Sequence, residues 1–418
     1  MVNTMREQTV PAPAGTAGAA ARHSSPVRSH PGGGALVPAD VLAGADRILF
    51  VAHLAIGDFT YLQACMRAFA RAYPHVRIHV WVDERRRTAD PAMWPHLQKY
   101  ALFDWLAECT WIDKVYDSTY SPDTFAQSIA AARAQDYPIV ASLAVMDCHR
   151  YARLVRAISP RGFVVGLTKP AERIVHIPSR WFAYRKLDGA IPVYTAADRP
   201  GHISEVYAGW FARFFGVDVP PAARLPRMDL PDRWLDAAHA QFAEWGFGDG
   251  RPVVFLNPYS KSPDRTWPLE YVAALARALR TRPGWRDAGV VVNVVPEALD
   301  DARRALTRRA DPALAHIRLF SADEHFFQLP AVMRLCSLVV SVETAVMHLA
   351  NAVGVPVIAL MRRNCPEWAP IDKDSSIVLM VPEMDDWVTR IGVDDVLDVL
   401  DARYAQDVDV QAPVARSA

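Results

Sequence analysis

Residues 47–58 read Arg47-Ile48-Leu49-Phe50-Val51-Ala52-His53-Leu54-Ala55-Ile56-Gly57-Asp58, and the order of these residues decides the fold. Ile48 to Ala52 is a short, unbroken apolar run, the pattern of a strand buried on both faces rather than of one with a solvated side. A turn carrying Gly57-Asp58 follows, then a helical stretch through about Arg71. After it Arg77-Ile78-His79-Val80-Trp81-Val82 reads as a second strand. Strand, helix, strand at this spacing is a βαβ unit, and such units build parallel sheets with helices on both faces.

The alternation returns after about Asp232. Val253 to Leu256, Val290 to Val295, Leu338 to Ser341 and Pro356 to Leu360 read as strands; Leu269 to Leu279 and Thr344 to Val353 read as helices. Two α/β halves follow, joined by the Pro-rich stretch Val219-Pro220-Pro221 to Leu230-Pro231. The expected organisation is a flexible Ala/Pro/Gly-rich tail over 1–45, an N-terminal α/β domain over 46–225, a C-terminal one over 226–400 and a second tail over 401–418. The first tail is poor in acids and carries Arg6, Arg22 and Arg28, as organelle transit peptides do, but it lacks their amphipathic helical period.

A chain of 418 residues has room for two or three domains, and its 51% hydrophobic content excludes general disorder. Lys plus Arg number 46 and Asp plus Glu number 46, so the net charge of zero argues against a nucleic-acid binder that relies on a large positive field, although a local basic surface is compatible with it. Cys65, Cys109, Cys148, Cys336 and Cys365 are scattered and form no C-x-x-C pair, which favours reduced thiols in a cytoplasmic protein over a zinc site or disulfide framework. No apolar run nears the roughly 20 residues needed to span a bilayer.

Parallel sheets bind ligands beyond the carboxyl ends of their strands, and three loops there carry unusual residues. His53 to Asp58 holds one glycine where a dinucleotide fingerprint needs three; Asp58 either caps the following helix or serves as a general base at the mouth of a cleft. Asn257 to Pro268 offers the Ser260 and Ser262 hydroxyls and the Lys261 and Arg265 cations, which suit a diphosphate as well as they suit solvent. Val340 to Asn351 passes from strand to helix, and the helix N-terminus is an anion site. Thr344 and His348 stand one turn apart there, so both can reach one ligand, although such a histidine also serves as an ordinary structural residue. Glu343 suits the helix dipole. The D-x-D element Asp407-Val408-Asp409 is in the tail, and metal-independent chemistry is expected. The run Arg85-Arg86-Arg87 is either a solvated loop or a contact for an anionic acceptor.

Together these segments resemble glycosyltransferase family 9, the bacterial ADP-heptose:lipopolysaccharide heptosyltransferases and their relatives. Arg47 to Asp58, closing on Arg71-Ala72-Tyr73-Pro74, is similar to the family's opening strand, Gly-Asp turn and helix end. Asn257-Pro258 through Arg265-Thr266-Trp267-Pro268 resembles its "P-G-…-K-x-W-P" segment. Ser341 to Ala350 with Gly354 to Leu360 resembles "D-T-G-x-x-H-L-A-…-G-x-P-V-x-x-L", with Glu343 standing for Asp and Ala345 for Gly. The likeness runs from about Arg47 to Leu400.

The resemblance implies a GT-B fold, two Rossmann-like α/β domains with parallel sheets facing across a cleft, and a last helix, Val393 to Leu400, returning toward the first domain. It implies an inverting, metal-independent glycosyltransferase that moves a sugar, ADP-heptose being the family's donor, to a bacterial surface glycan such as lipopolysaccharide core. Asp58 would be the catalytic base. Ser260, Lys261, Arg265, Glu343, Thr344, Ala345 and His348 would hold the donor, and Gly57, Arg85 and Arg86 the acceptor. The expected partners are a nucleotide-sugar and a glycan or glycolipid, with no nucleic acid, no metal and no further cofactor. The place of action would be the cytoplasm, with peripheral contact at the inner membrane. Two rival readings are a silent sugar-nucleotide-binding homologue and a nucleotide-sugar epimerase or hydrolase.

Overall fold

A computed structural model of the chain describes residues 34–171, 177–194, 201–248, 250–307 and 311–404. The first lobe opens with α1 (Ala39–Gly44), β1 (Arg47–Ala52), α2 (Ile56–Ala72) and β2 (Arg77–Val82). It continues through α3 (Trp94–Gln98), α4 (Ala101–Ala107), β3 (Lys114–Tyr116), α5 (Pro122–Arg133) and β4 (Ile139–Ser142). It closes with α6 (Cys148–Ile158), β5 (Phe163–Thr168), α7 (Ile177–Tyr184), β6 (Gly189–Pro192) and α8 (Ile203–Phe215). The second lobe runs through α9 (Asp232–Trp245), β7 (Val253–Asn257), α10 (Leu269–Leu279), β8 (Gly289–Asn293), α11 (Leu299–Thr307) and β9 (Ile317–Phe320). Then come α12 (Gln328–Arg334), β10 (Leu338–Val342), α13 (Ala345–Ala352), β11 (Val357–Met361), β12 (Ser376–Met380) and α14 (Val393–Tyr404).

Each lobe holds one six-stranded sheet, ordered β3-β2-β1-β4-β5-β6 in the first and β12-β11-β10-β7-β8-β9 in the second, and every pairing is parallel. The expected pair of Rossmann-like domains is therefore present. In each sheet the winding direction reverses at one place, between β1 and β4 and between β7 and β10. The crevice beyond the strand ends at such a reversal is where ligands bind in open α/β sheets. The apolar runs sit at these central positions because only there are both faces covered by helices; every residue of β7, β10 and β11 is buried.

In the first lobe the aromatic side of the core is formed by Phe50 of β1 against Phe69 of α2 and Phe211 and Phe215 of α8, with ring centroids 5.6 to 6.0 Å from that of Phe50. The same cluster runs on into the second lobe through Phe255 and the inner faces of α12 and α13. A separate cluster fills the outer layer of the second lobe. The linker is fixed to both lobes: the Met228 N–H donates to the Ala352 carbonyl at 3.0 Å, and Arg67 pairs with Asp229 at 2.5 Å.

Two expectations are corrected here. Residues 34–45, assigned to the tail on composition, are folded: the Leu36 and Val37 N–H groups donate to the Arg213 and Phe214 carbonyls at 2.9 Å, and Val37 and Leu42 are buried. A few apolar side chains placed at the end of α8 outweigh a Gly/Pro-rich composition. Residues 1–33 and 405–418 lie outside the described residues. The last helix does not return to the first lobe. Trp267 Nε1 donates to the Ile391 carbonyl at 2.9 Å just before α14, and Val396, Leu397 and Leu400 are buried in the core of the second lobe.

Candidate active site

The end of β1 turns into α2 at the winding reversal of the first sheet, and this placement determines what surrounds Asp58. Asp58 is the third residue of α2. Its Oδ2 accepts from the Ala55 N–H at 3.0 Å, which satisfies one of the donors left free at a helix start. Its Oδ1 accepts from the hydroxyl of Tyr207, a buried residue of α8, at 2.8 Å. Burial pushes the carboxyl upward from the ordinary Asp range, opposed by those two donors. The capping role and the base role read from the sequence are thus compatible in one side chain. The approach loop is steadied by Tyr100, whose hydroxyl donates to the Leu54 carbonyl at 2.7 Å. His53 stands five residues before Asp58 with both ring nitrogens buried and without a hydrogen-bond partner among the described residues. Burial, assisted by Arg85, lowers its pKa to about 4.

The other predicted contacts of the first lobe separate. Arg85 pairs with Asp147 at 3.2 Å, and Arg86 binds Glu84 through Nε at 2.8 Å and Nη2 at 2.6 Å. Gly57 faces the second lobe instead of open space: a Cβ there would lie 3.7 Å from His348 Cδ2 and 3.9 Å from Trp368.

In the second lobe β7 ends at Asn257, and the chain loops outward before α10. The Trp267 N–H donates to the Pro258 carbonyl at 2.8 Å and its indole is buried, so the loop is closed at its base. Within it the Ser262 N–H donates to Ser260 Oγ at 3.1 Å. Ser260, Lys261, Pro263, Thr266 and Pro268 line an open cleft of about 370 Å³.

Opposite this loop β10 leads into α13. Thr344 is the N-cap, its hydroxyl accepting from the Val346 N–H at 3.4 Å and from Asn257 Nδ2 at 3.0 Å. Asn257 also donates to Ser341 Oγ at 3.0 Å and accepts from Asn293 Nδ2 at 2.8 Å. This buried amide network fixes the N-terminus of α13, whose first residue, Ala345, presents its N–H at the dipole's positive end.

Glu343 is buried. The Arg362 N–H donates to its Oε2 at 3.0 Å, and Arg362 Nη2 lies 3.3 Å and Arg265 Nη1 4.0 Å from its Oε1. Arg362 also binds Asp264. Two cations and two carboxylates therefore alternate between the end of β11 and the loop. Sequence reading found Arg265 and Glu343 but missed Arg362, Asn257, Asn293 and Tyr207. Asn257 is the one with a signal: a polar residue closing a run of four apolar ones at a strand end.

His348 departs most from expectation. The structure gives it a partner on the first lobe that its spacing from Thr344 does not reveal. Its Nδ1 shares a hydrogen bond with the Tyr61 hydroxyl of α2 at 2.8 Å, and its ring packs beside Tyr61 and Trp368. Burial lowers its pKa to about 3. A neutral, enclosed imidazole brings no charge to a diphosphate; here it joins the lobes. The junction is extended by His202 Nε2, 2.9 Å from the Ala369 carbonyl, and by the Phe326 N–H, which donates to Asp104 at 2.8 Å. Among the described residues no group of three or more His, Cys, Asp or Glu could hold a metal ion, and no helix is long and apolar enough to cross a membrane.

Residues 201–386 match the model of glycosyltransferase family 9 (heptosyltransferase). No curated protein matches the chain. Among solved structures, a family 9 glycosyl transferase from Veillonella parvula DSM 2008 is 15% identical, with a TM-score of 0.65 over 85% of this chain and 96% of that one. E. coli ADP-heptose lps heptosyltransferase II is 17% identical, with a TM-score of 0.61 over 86% and 99%. E. coli heptosyltransferase WaaC with ADP-2-deoxy-2-fluoro heptose is 17% identical, with a TM-score of 0.56 over 85% and 99%. At these identities the structures establish the shared GT-B fold, and the family match lies on the half that carries the Asn257 loop and α13. Residues 201–386 thus carry the match to glycosyltransferase family 9 (heptosyltransferase), within a chain whose fold is GT-B.

Proposed function

We propose that the protein transfers a sugar, with inversion and without a metal ion, from a nucleotide-diphosphate sugar to a hydroxyl of a bacterial surface glycan such as lipopolysaccharide core. ADP-heptose, the donor named for the E. coli relative, is the first candidate. The observation that carries this reading is the Asp58 carboxylate, kept at a strand-end crevice with its basicity raised by burial and its orientation set by Tyr207 and Ala55.

Asp58 accepts the proton of the acceptor hydroxyl as that oxygen bonds to the anomeric carbon. The bond from that carbon to the diphosphate oxygen breaks, and the diphosphate leaves with the electron pair. Attack from the opposite face inverts the centre. The α13 N–H groups, Lys261 and Arg265 supply the positive electrostatics that a departing diphosphate requires. Thr344 is a direct donor contact in this reading, whereas Glu343 acts by holding Arg265 and Arg362. The unpartnered His53 imidazole suits a hydroxyl-rich acceptor, because a buried polar group gains most from a ligand that pairs it. The acceptor is a glycan or glycolipid reached at the cytoplasmic face of the inner membrane, and no cofactor takes part.

The pH dependence of kcat tests the base. A carboxylate base works ionised, so the rate rises with pH through the Asp58 pKa, and the acid limb lies above the usual Asp range. Tyr207→Phe removes a donor that favours the ionised form and moves this limb to higher pH. An acid limb at the ordinary carboxylate position, or one that Tyr207→Phe leaves in place, contradicts the assignment.

A further inference from the structure

The net charge of zero conceals a polarised chain. Residues 148–187 contain seven arginines and two lysines against a single acid, Glu172. This stretch includes α6 and α7, which pack side by side on the first lobe: Arg153 Nη2 donates to the Ser179 carbonyl at 3.2 Å. Two of its cations pair with carboxylates, Arg156 with Asp188 at 2.7 Å and Arg161 with Asp136 at 2.6 Å. Arg150, Arg153, Arg185 and Lys186 are exposed around α6 and α7.

Large apolar side chains stand exposed among these cations. Phe182 is 61% and Ile177 49% exposed, and Met146 is exposed just before α6. Trp181 lies against Phe182 with ring centroids 4.9 Å apart, and the Arg185 guanidinium covers the Trp181 ring at 4.4 Å. An aromatic pair beside guanidinium groups is suited to a bilayer interface, where rings enter the headgroup boundary and cations meet lipid phosphates. The patch also adjoins the candidate acceptor side, because Asp147, the partner of Arg85, immediately precedes α6 in the loop that leaves the carboxyl end of β4.

We propose that the α6–α7 face docks the first lobe on an anionic phospholipid surface, with Phe182 and Ile177 entering the interface and Arg150, Arg153, Arg185 and Lys186 binding headgroup phosphates. The inference extends the acceptor half of the function proposed above, since it brings the crevice beside Asp58 to the membrane plane that a glycolipid acceptor occupies. Vesicle binding needs neither donor nor acceptor, so it can fail while transfer succeeds, and the reverse.

Flotation of the full chain with phosphatidylcholine vesicles, with and without phosphatidylglycerol, tests it. The protein should float with the anionic vesicles, remain behind with the neutral ones and detach as salt is raised. Arg150→Gln with Lys186→Gln should lower partitioning roughly 30-fold, the product of two lost basic contacts. Phe182→Ser should lower it independently and leave the circular dichroism spectrum unchanged, because the side chain is exposed. Equal binding to both vesicles, absence of binding to either, or unaltered binding by these variants would overturn the proposal. Tighter binding to a DNA duplex than to the anionic vesicles, with Phe182→Ser silent, would also overturn it and assign the patch to polyanions.

Discussion

Asp58→Asn is expected to lower kcat by about 10²- to 10⁴-fold, the usual contribution of a general base, with the nucleotide dissociation constant unchanged. The fold should survive the substitution. Burial raises the Asp58 pKa, so the ionised carboxylate is favoured less in the folded chain than in the unfolded one. The stability this shift contributes is fully present below the unfolded Asp pKa and is lost as pH rises through the folded one. A neutral side chain near pH 7 avoids that loss. The asparagine oxygen can still accept from either Ala55 or Tyr207, so at most one hydrogen bond is forfeited, worth about 1 kcal/mol. Steady-state transfer with nucleotide titration separates the two effects. Turnover near that of the parent would remove Asp58 from the chemistry, and loss of nucleotide binding would make its role structural.

The second large effect concerns a residue that the sequence did not single out. Arg362→Ala should destabilise the second lobe by about 3 kcal/mol, because it leaves the buried Glu343 carboxylate short of its guanidinium partner. Arg265 Nη1, 4.0 Å from the same oxygen, keeps the cost toward the low end of the range for such breaks. The substitution also releases Asp264 from the end of β11, so the loop carrying Ser260 and Lys261 loses an anchor and nucleotide affinity falls. Adding Glu343→Gln removes the stranded charge and should restore a large part of the stability. Urea unfolding of the parent, the single variants and the double variant measures this. A double variant no more stable than Arg362→Ala would show that the carboxylate is not what the arginine neutralises.

The central elements were legible in the sequence because local pattern and tertiary placement agree there. β1 and β2 are apolar runs separated by a helix, and the helix read as Leu269 to Leu279 has those bounds in the structure. The edges were not legible. β3 has three residues, and β9 and β12 are mainly half-buried, so neither alternation nor a continuous apolar run marks them. At the candidate site, single-loop features could be read, namely the Gly-Asp turn, the Ser/Lys/Arg loop and the small residues opening α13. Partnerships across the fold could not. Asn257 meets Thr344 across 87 positions and Tyr207 meets Asp58 across 149. His348 illustrates the same limit, since its spacing from Thr344 is right for one helical face. Yet Thr344 lies outside the helix as its cap, and the approach of α2 supplies His348 with Tyr61.

In the proposed function the Asn257–Pro268 loop and the start of α13 receive a nucleotide diphosphate without a metal. Thermal unfolding in a chelator, against ADP, UDP, GDP, CDP, TDP and the available nucleotide-sugars, measures that directly. A ligand at 100 times its dissociation constant stabilises the folded state by about 2.7 kcal/mol. Selective stabilisation by one nucleotide and its sugar, weakened by Lys261→Ala, is the expected result. Absence of stabilisation by any of them, or stabilisation only after a divalent metal is restored, would contradict the account.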